Sequence, residues 1–68
     1  MKFFAKRLKD LRIENKLKQE ELAEAVGVSA SMISMWENEI NIPSLEKASK
    51  LADIFKVSLD YLAGRTEY

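Results

Sequence analysis

Apolar and charged residues recur with a helical period in the first quarter of the chain. Phe4, Leu8 and Leu11 follow one another at intervals of four and three residues, and most positions between them are charged. Spacing of this kind places the apolar side chains on one face of a helix. We therefore predict an amphipathic first helix that ends near Asn15.

The next two predicted helices are separated by a glycine. One runs from about Gln19 to Val26, with two glutamates in its first turn, where the helix dipole favours acids. Gly27 ends it, because glycine adopts the left-handed backbone conformation at no steric cost. Ser29 is a favourable N-cap for a third helix that continues to about Trp36.

Two further helices are predicted after Pro43. Ser44 is the expected N-cap of the fourth helix. The apolar residues of this helix recur at helical spacing and are Leu45, Ala48, Leu51, Ala52 and Phe55. Ser58 begins a short fifth helix that Gly64 closes. No segment alternates with a period of two over a useful length, so the predicted fold class is all-α, with five helices and no strand.

Length and composition narrow the choice of function. The 68 residues have room for one domain, and we expect 1–68 to form it. The chain contains neither cysteine nor histidine, which are the usual zinc ligands and, for histidine, the usual proton carrier near neutral pH. We therefore expect no enzyme, no metal site and no cofactor. The longest stretch without a charge, Ala25 to Trp36, is too short to cross a bilayer, and we expect a cytoplasmic protein.

The corner between the second and third helices combines three complementary residues. Ala23 is small enough for two helices to cross closely, Gly27 tolerates a positive φ in the turn, and Ile33 places an aliphatic side chain on the inner face of the third helix. This combination is typical of a helix-turn-helix, whose core we expect over about 19–36. Taken alone, the pattern is of moderate specificity, because other two-helix corners can share it.

Five further segments make the pattern more specific. They are Arg7-Leu8-Lys9-Asp10-Leu11-Arg12, Gln19-Glu20-Glu21-Leu22-Ala23, Trp36-Glu37-Asn38, Pro43-Ser44-Leu45 and Val57-Ser58-Leu59-Asp60-Tyr61-Leu62. In this order they resemble the phage-repressor-like helix-turn-helix family, the Cro/C1 or XRE type, from Phe4 to Gly64. The resemblance implies a compact five-helix domain and a repressor-like transcriptional regulator. Such a regulator binds a near-palindromic operator in double-stranded DNA as a dimer, with its third helix in the major groove.

The resemblance also implies roles for individual residues. Base edges are expected to face the third helix at Ala30, Ser31, Ser34 and Met35. Phosphates are expected to face Lys18, Gln19, Ser29 and Asn38. The serines can form single hydrogen bonds, and none of the base-facing residues can form a bidentate pair with a base. Alternatively the base-facing residues are inert surface, Gln19 is an ordinary helix start, and Asn38 is a helix C-cap.

Arg12 and Glu37 occupy positions that form a partly buried ion pair in similar proteins. The pair would tie the first helix to the end of the third, and a guanidinium suits that geometry because it can hold a carboxylate with two donors. We expect a structural role first, with the remaining donors of Arg12 able to face a phosphate.

Charge is distributed unevenly along the chain. Residues 1–18 carry a net charge of +5 and residues 19–41 a net charge of −5, whereas a DNA-binding face is usually basic. Glu39 stands where the family commonly has glycine, in a loop without bases. The acidic block keeps an alternative open: an antitoxin-like or other protein-interaction module on the same fold, with weak or no DNA binding.

Apolar residues outside the helical pattern indicate a possible dimer or partner surface. Ile40 and Ile42 in the loop after the third helix form one candidate patch, and Tyr61 and Leu62 in the fifth helix form another. Taken one at a time, Trp36 and Ile42 are expected to belong to the core.

Overall fold

The fold consists of five helices joined by short connections. The structure is a computed structural model and describes residues 3–67. The helices are α1 Phe4–Glu14, α2 Gln19–Val26, α3 Ala30–Glu37, α4 Leu45–Phe55 and α5 Leu59–Leu62. No strand occurs within the described residues, and the all-α, five-helix prediction is confirmed.

Three helices begin at a serine whose hydroxyl satisfies a free backbone amide. Ser29 Oγ accepts the Met32 N–H at 3.2 Å, Ser44 Oγ accepts the Lys47 N–H at 3.2 Å, and Ser58 Oγ accepts the Tyr61 N–H at 2.9 Å. These are the three N-caps that the sequence predicts. Each bond satisfies one of the amides that a helix leaves without a partner in its first turn.

Each of the five helices between residues 3 and 67 is followed by a residue in the left-handed conformation. These residues are Lys16, Gly27, Glu39, Lys56 and Gly64, with φ between 56° and 88°. In every case the next residue donates its N–H to the carbonyl five positions earlier, at 2.9–3.0 Å, which is the hydrogen bond of the Schellman motif. The sequence predicts the two glycines; the three residues with side chains adopt the same conformation despite the steric cost of a Cβ.

One hydrophobic core receives side chains from all five helices. Its largest fully buried members are Phe4, Leu8, Leu22, Val26, Ile33, Leu51 and Leu62. Trp36 is also buried, as expected.

Three sequence expectations about apolar residues are wrong. Leu62 was expected on a partner surface, but it lies on the inner side of the single turn of α5 and is fully buried. Ile42 is expected in the core when taken alone and on a partner surface when taken with Ile40; it lies in the loop before α4 and is 60% exposed, so the core expectation is the wrong one. Leu45 follows the helical pattern of α4, yet it lies in the outward-facing first turn and is 73% exposed.

Arg7 joins the first helix to the last. Its Nη1 donates to the carbonyl of Tyr61 at 2.6 Å and to the carbonyl of Thr66. The guanidinium also lies 4.3 Å from the centroid of the Tyr61 ring and 5.8 Å from that of Phe3, which is within the range of a cation–π contact. Tyr61 is therefore half-buried by this contact rather than freely displayed.

No helix within residues 3–67 is both long enough and apolar enough to cross a bilayer.

Candidate nucleic-acid interface

The α2–α3 corner has the local structure of a helix-turn-helix. The Gly27 and Val28 N–H groups both donate to the Ala23 carbonyl, at 2.8 and 3.0 Å, while Ala23 and Ile33 are buried where the helices meet. A Cβ on Gly27 would meet only Lys47 Nζ, at 3.9 Å. Glycine is thus favoured here by its φ of +88° and not by a lack of space.

The residues expected to face bases differ in how far they extend from α3. Ser31 is exposed, whereas Ala30, Ser34 and Met35 are half-buried. Ala30 also packs against the core. The burial of Ile33 and Trp36 directs the opposite side of α3 outward, so Ser31 is the member of this set with the greatest access to solvent.

Asn38 and Ser34 are hydrogen-bonded to each other at the end of α3. Asn38 Nδ2 donates to the Ser34 carbonyl at 2.7 Å and to Ser34 Oγ at 3.2 Å. Asn38 occupies the C-cap position of the helix. The C-cap interpretation of Asn38 therefore describes its contacts in this structure.

Arg12 and Glu37 form the expected ion pair. Arg12 Nε lies 2.6 Å from Glu37 Oε2, and Arg12 Nη2 lies 3.1 Å from Glu37 Oε1. The side chains are 13% and 2% exposed. Hydrogen bonding to Glu37 raises the pKa of Arg12, against the opposing effect of burial. Arg12 Nη1 also donates to the Leu17 carbonyl at 2.8 Å, which ties the pair to the α1–α2 loop.

Gln19 completes this cluster from the start of α2. Its Nε2 donates to Glu37 Oε1 at 3.1 Å, so one carboxylate receives hydrogen bonds from both α1 and α2. An amide nitrogen carries two protons, and one remains for a ligand. This bond is not predictable from the sequence, because it depends on how the end of α3 packs against the start of α2.

The backbone N–H of Lys18 takes part in capping the start of α2. The Lys18 N–H donates to Glu21 Oε1 at 2.8 Å, which turns that carboxylate back toward the helix end. The Lys18 side chain is exposed. Lys16, which is not among the predicted phosphate contacts, is exposed two residues earlier in the same loop. Its place close to Lys18, within a few residues of a predicted helix start, is the sequence signal that could have identified it.

Three basic residues of α1 are engaged elsewhere. Lys6 Nζ pairs with Asp10 Oδ2 at 2.8 Å, Arg7 contacts the end of α5, and Arg12 is neutralised by Glu37. Lys16 and Lys18 are exposed bases in the loop directly before Gln19.

Three exposed apolar side chains follow α3 along the chain, and we call Ile40, Ile42 and Leu45 together the 40–45 patch. Their exposures are 69%, 60% and 73%. A surface cleft of about 350 Å³ lies beside Ile40 and Ile42, and a second of about 340 Å³ beside Leu45. Of the four residues expected on a partner surface, Ile40 and Ile42 are displayed, Tyr61 is half-buried and Leu62 is not available.

Within residues 3–67 no three acidic side chains come together in a way that could hold a metal ion.

Comparison with known proteins identifies relatives along most of the chain. A family profile described as helix-turn-helix matches residues 8–62. The chain is 39% identical over 64 residues to the uncharacterized HTH-type transcriptional regulator YobD of Bacillus subtilis (strain 168), covering 94% of this chain and 57% of the relative. It is 34% identical over 64 residues to the cryptic phage CTXphi transcriptional repressor RstR of Vibrio cholerae, covering 94% of this chain and 58% of the relative. The chain thus spans little more than half the length of these relatives.

A solved structure shares the fold. The P22 c2 repressor, crystallised in complex with a synthetic operator, matches with a TM-score of 0.88 and 32% sequence identity, covering 93% of this chain and 96% of that one. The order of the five helices, the left-handed Gly27 at the α2–α3 corner and the helix-turn-helix profile over residues 8–62 all indicate the same family. The chain therefore belongs to the phage-repressor-like helix-turn-helix family.

Proposed function

We propose that this protein is a sequence-specific DNA-binding transcriptional regulator, repressor-like, that docks α3 in the major groove. The observation that carries the proposal is the match to the P22 c2 repressor, whose crystal contains an operator and whose fold extends over 93% of this chain. Members of this structural class insert the second helix of the corner into the groove, and that helix is α3 here.

Sequence recognition falls to a small set of weak contacts. Ser31 and Ser34 offer single hydrogen bonds, and Ala30 and Met35 offer apolar contact with a thymine methyl group. The exposed position of Ser31 supports a direct contact. A recognition helix without arginine or glutamine derives modest energy from each base, so the operator must be read by two copies to be bound selectively.

Phosphate contacts are proposed at the corner where α2 begins. Lys18 and Lys16 are exposed there, and Gln19 retains one amide proton while Glu37 holds the other. Ser29 is exposed at the start of α3, with its oxygen accepting from Met32 and its own proton available for a phosphate. Acidic residues nearby oppose this attraction, so the salt-dependent part of the affinity should be small.

We propose that the 40–45 patch joins two copies of the protein. It is apolar, exposed and directly follows the reading helix, so that pairing through it would present two copies of α3 to adjacent half-sites. The same patch is the observation that favours the second candidate function, in which it docks a different protein.

Selection from a pool of randomised duplex DNA tests the function. At about 50 mM salt, where weak electrostatic contacts persist, we expect a two-fold symmetric motif with half-sites about one helical turn apart. If the folded protein enriches no motif over the starting pool, the DNA-binding proposal is wrong and the protein-docking function is favoured.

The salt dependence of binding tests the phosphate corner. Lys18→Ala should lower the slope of log affinity against log salt by about 1 and leave the selected motif unchanged, because a phosphate contact carries no sequence information. Lys6→Ala is the matched control, since it removes one charge from a lysine paired with Asp10. Equal slopes for the two variants would show that net charge, and not a contact at Lys18, sets the salt dependence.

A further inference from the structure

The hydrogen bonds at the end of α3 bear on whether Ser34, one of the proposed base-reading residues, donates or accepts a hydrogen bond. Asn38 Nδ2 lies 2.7 Å from the Ser34 carbonyl oxygen and 3.2 Å from Ser34 Oγ. Asn38 Nδ2 is thus a donor to both oxygens of Ser34. The contact with Ser34 Oγ is the one that bears on how Ser34 meets a base.

The same contact leaves the hydroxyl of Ser34 as a hydrogen-bond donor. A hydroxyl group has one proton and two lone pairs, and one lone pair is taken by Asn38. Within residues 3–67 the hydroxyl proton of Ser34 has no protein acceptor. An oxygen that accepts a hydrogen bond becomes a better donor through its own proton, because hydrogen bonds in a chain polarise one another. Ser34 therefore presents a donor to the groove.

We propose that Asn38 is a positioning residue that sets Ser34 as a hydrogen-bond donor, so that the base facing Ser34 must present an acceptor in the major groove. This inference rests on the proposed DNA-binding function and makes its recognition step specific. Guanine presents N7 and O6 and thymine presents O4, whereas cytosine presents only the N4 amino donor. Cytosine is thus the base that this pair excludes, and Asn38 acts on this choice through Ser34.

The test compares DNA selections made with the wild-type protein, four single variants and one double variant. Ser34→Ala should flatten one base-pair column per half-site, with a loss of discrimination of roughly two- to tenfold for a single hydrogen bond. Asn38→Ala should weaken the same column while leaving the other columns intact. Asn38→Asp should move the column toward cytosine, because a carboxylate accepts the Ser34 proton and leaves the hydroxyl oxygen as the group that faces the base.

The fourth variant, Asn15→Asp, is a matched control. Asn15 is the C-cap of α1 and donates from Nδ2 to the Leu11 carbonyl at 2.8 Å, so its substitution makes the same charge change and the same cap change as Asn38→Asp without touching α3. It should leave every column unchanged. Circular dichroism confirms that each variant is folded before selection.

The results distinguish a failure of the proposed role of Asn38 from a failure of the proposed DNA-binding function. If the wild-type protein selects no motif, the proposed function is wrong and the inference falls with it. If the wild-type protein selects a motif that Ser34→Ala leaves unchanged, or if Asn38→Ala behaves as wild type at the Ser34 column, the inference alone is wrong. A shift toward cytosine that persists in the Ser34→Ala/Asn38→Asp double variant would show that the carboxylate reads the base by itself, which also contradicts it.

Discussion

Glu37 connects three helices at a single carboxylate. It accepts two hydrogen bonds from Arg12 and one from Gln19 while remaining only 2% exposed. A buried charge is tolerated only when its partners compensate for lost hydration. Arg12 supplies that compensation and keeps its proton throughout the working pH range, since its pKa is raised above an already high ordinary value.

Truncating either partner of this pair should destabilise the fold strongly. Arg12→Ala and Glu37→Ala should each lower the free energy of unfolding by about 3 kcal/mol, because each leaves the other charge buried and uncompensated. Urea denaturation followed by circular dichroism at 222 nm measures the change. For a small domain with about 5 kcal/mol in total, such variants lie close to the limit of folding.

The exposed pair Lys6–Asp10 supplies the control for this prediction. Lys6→Ala should leave the denaturation midpoint near that of the wild type, since solvent already screens an exposed pair. The double variant Arg12→Met/Glu37→Leu should cost less than the two single truncations added together. Single variants that unfold at the wild-type midpoint would contradict a stabilising role for the pair.

At this scale the sequence was a partial guide to the site. The Arg12–Glu37 pair followed from resemblance to a family, and the structure contains it. The bonds from Gln19 to Glu37 and from Asn38 to Ser34 could not be predicted, because they depend on side-chain rotamers at a junction of helices. Leu62 was misplaced because a four-residue helix shows too few positions to identify its inner face.

Helix boundaries were far more predictable than side-chain contacts. α2 has the bounds that the sequence predicts, and α1 and α3 end within one residue of expectation. Serine caps and acidic first turns act on adjacent backbone groups, so they can be identified without tertiary information. The left-handed residues at Lys16, Glu39 and Lys56 were not foreseen, because the usual signal for that conformation is glycine.

Glycine at the non-glycine positions with positive φ should stabilise the fold. Lys56→Gly and Glu39→Gly should each raise the free energy of unfolding by about 0.5–1 kcal/mol, the steric relief at positive φ less the added backbone entropy of the unfolded chain. Gly27→Ala should lower it by about 1 kcal/mol, because the site has space for the Cβ but its φ disfavours it. Thermal and urea denaturation of the three variants measures the differences.

The two stabilised variants differ in what they do to DNA binding. Glu39→Gly also removes a negative charge beside the reading helix, and should strengthen binding to all duplexes at low salt. Lys56→Gly, with the same backbone change in the α4–α5 connection, separates the stability effect from this charge effect. If either substitution destabilised the protein, the side chain of the replaced Glu39 or Lys56 would have to make contacts that outweigh the backbone strain.

Across the whole molecule, charged surface is proposed to contact DNA and exposed apolar surface to contact a second copy of the protein. The acidic block of residues 19–41 limits what one copy can gain from phosphates, and the 40–45 patch is the exposed apolar surface through which a second copy is proposed to add its contacts. The charge imbalance was visible in the sequence. The exposure of Leu45 was not, because its helical spacing predicts burial, and for Ile42 the sequence left both core and surface open.

Placing a charge in the 40–45 patch should separate the copies. Ile40→Lys should weaken self-association at least tenfold, because a buried ammonium at an apolar contact has no partner. Sedimentation equilibrium over a range of concentrations measures the dissociation constant. Ile13→Lys is the control, since Ile13 is a similarly exposed isoleucine on α1, and a dimer that Ile40→Lys leaves intact would exclude the patch as its interface.

The two arginines of α1 also differ in how far along the chain their partners lie. Arg12 binds a partner 25 residues away, whereas Arg7 binds the backbone 54 and 59 residues away. Closing a loop of twice the length costs about 0.6 kcal/mol more in chain entropy. The contact between α1 and α3 is therefore expected to form before the contact of Arg7 with the carbonyls of Tyr61 and Thr66. By the same reasoning, amide hydrogens of α5 should exchange with solvent sooner than those of the α2–α3 corner.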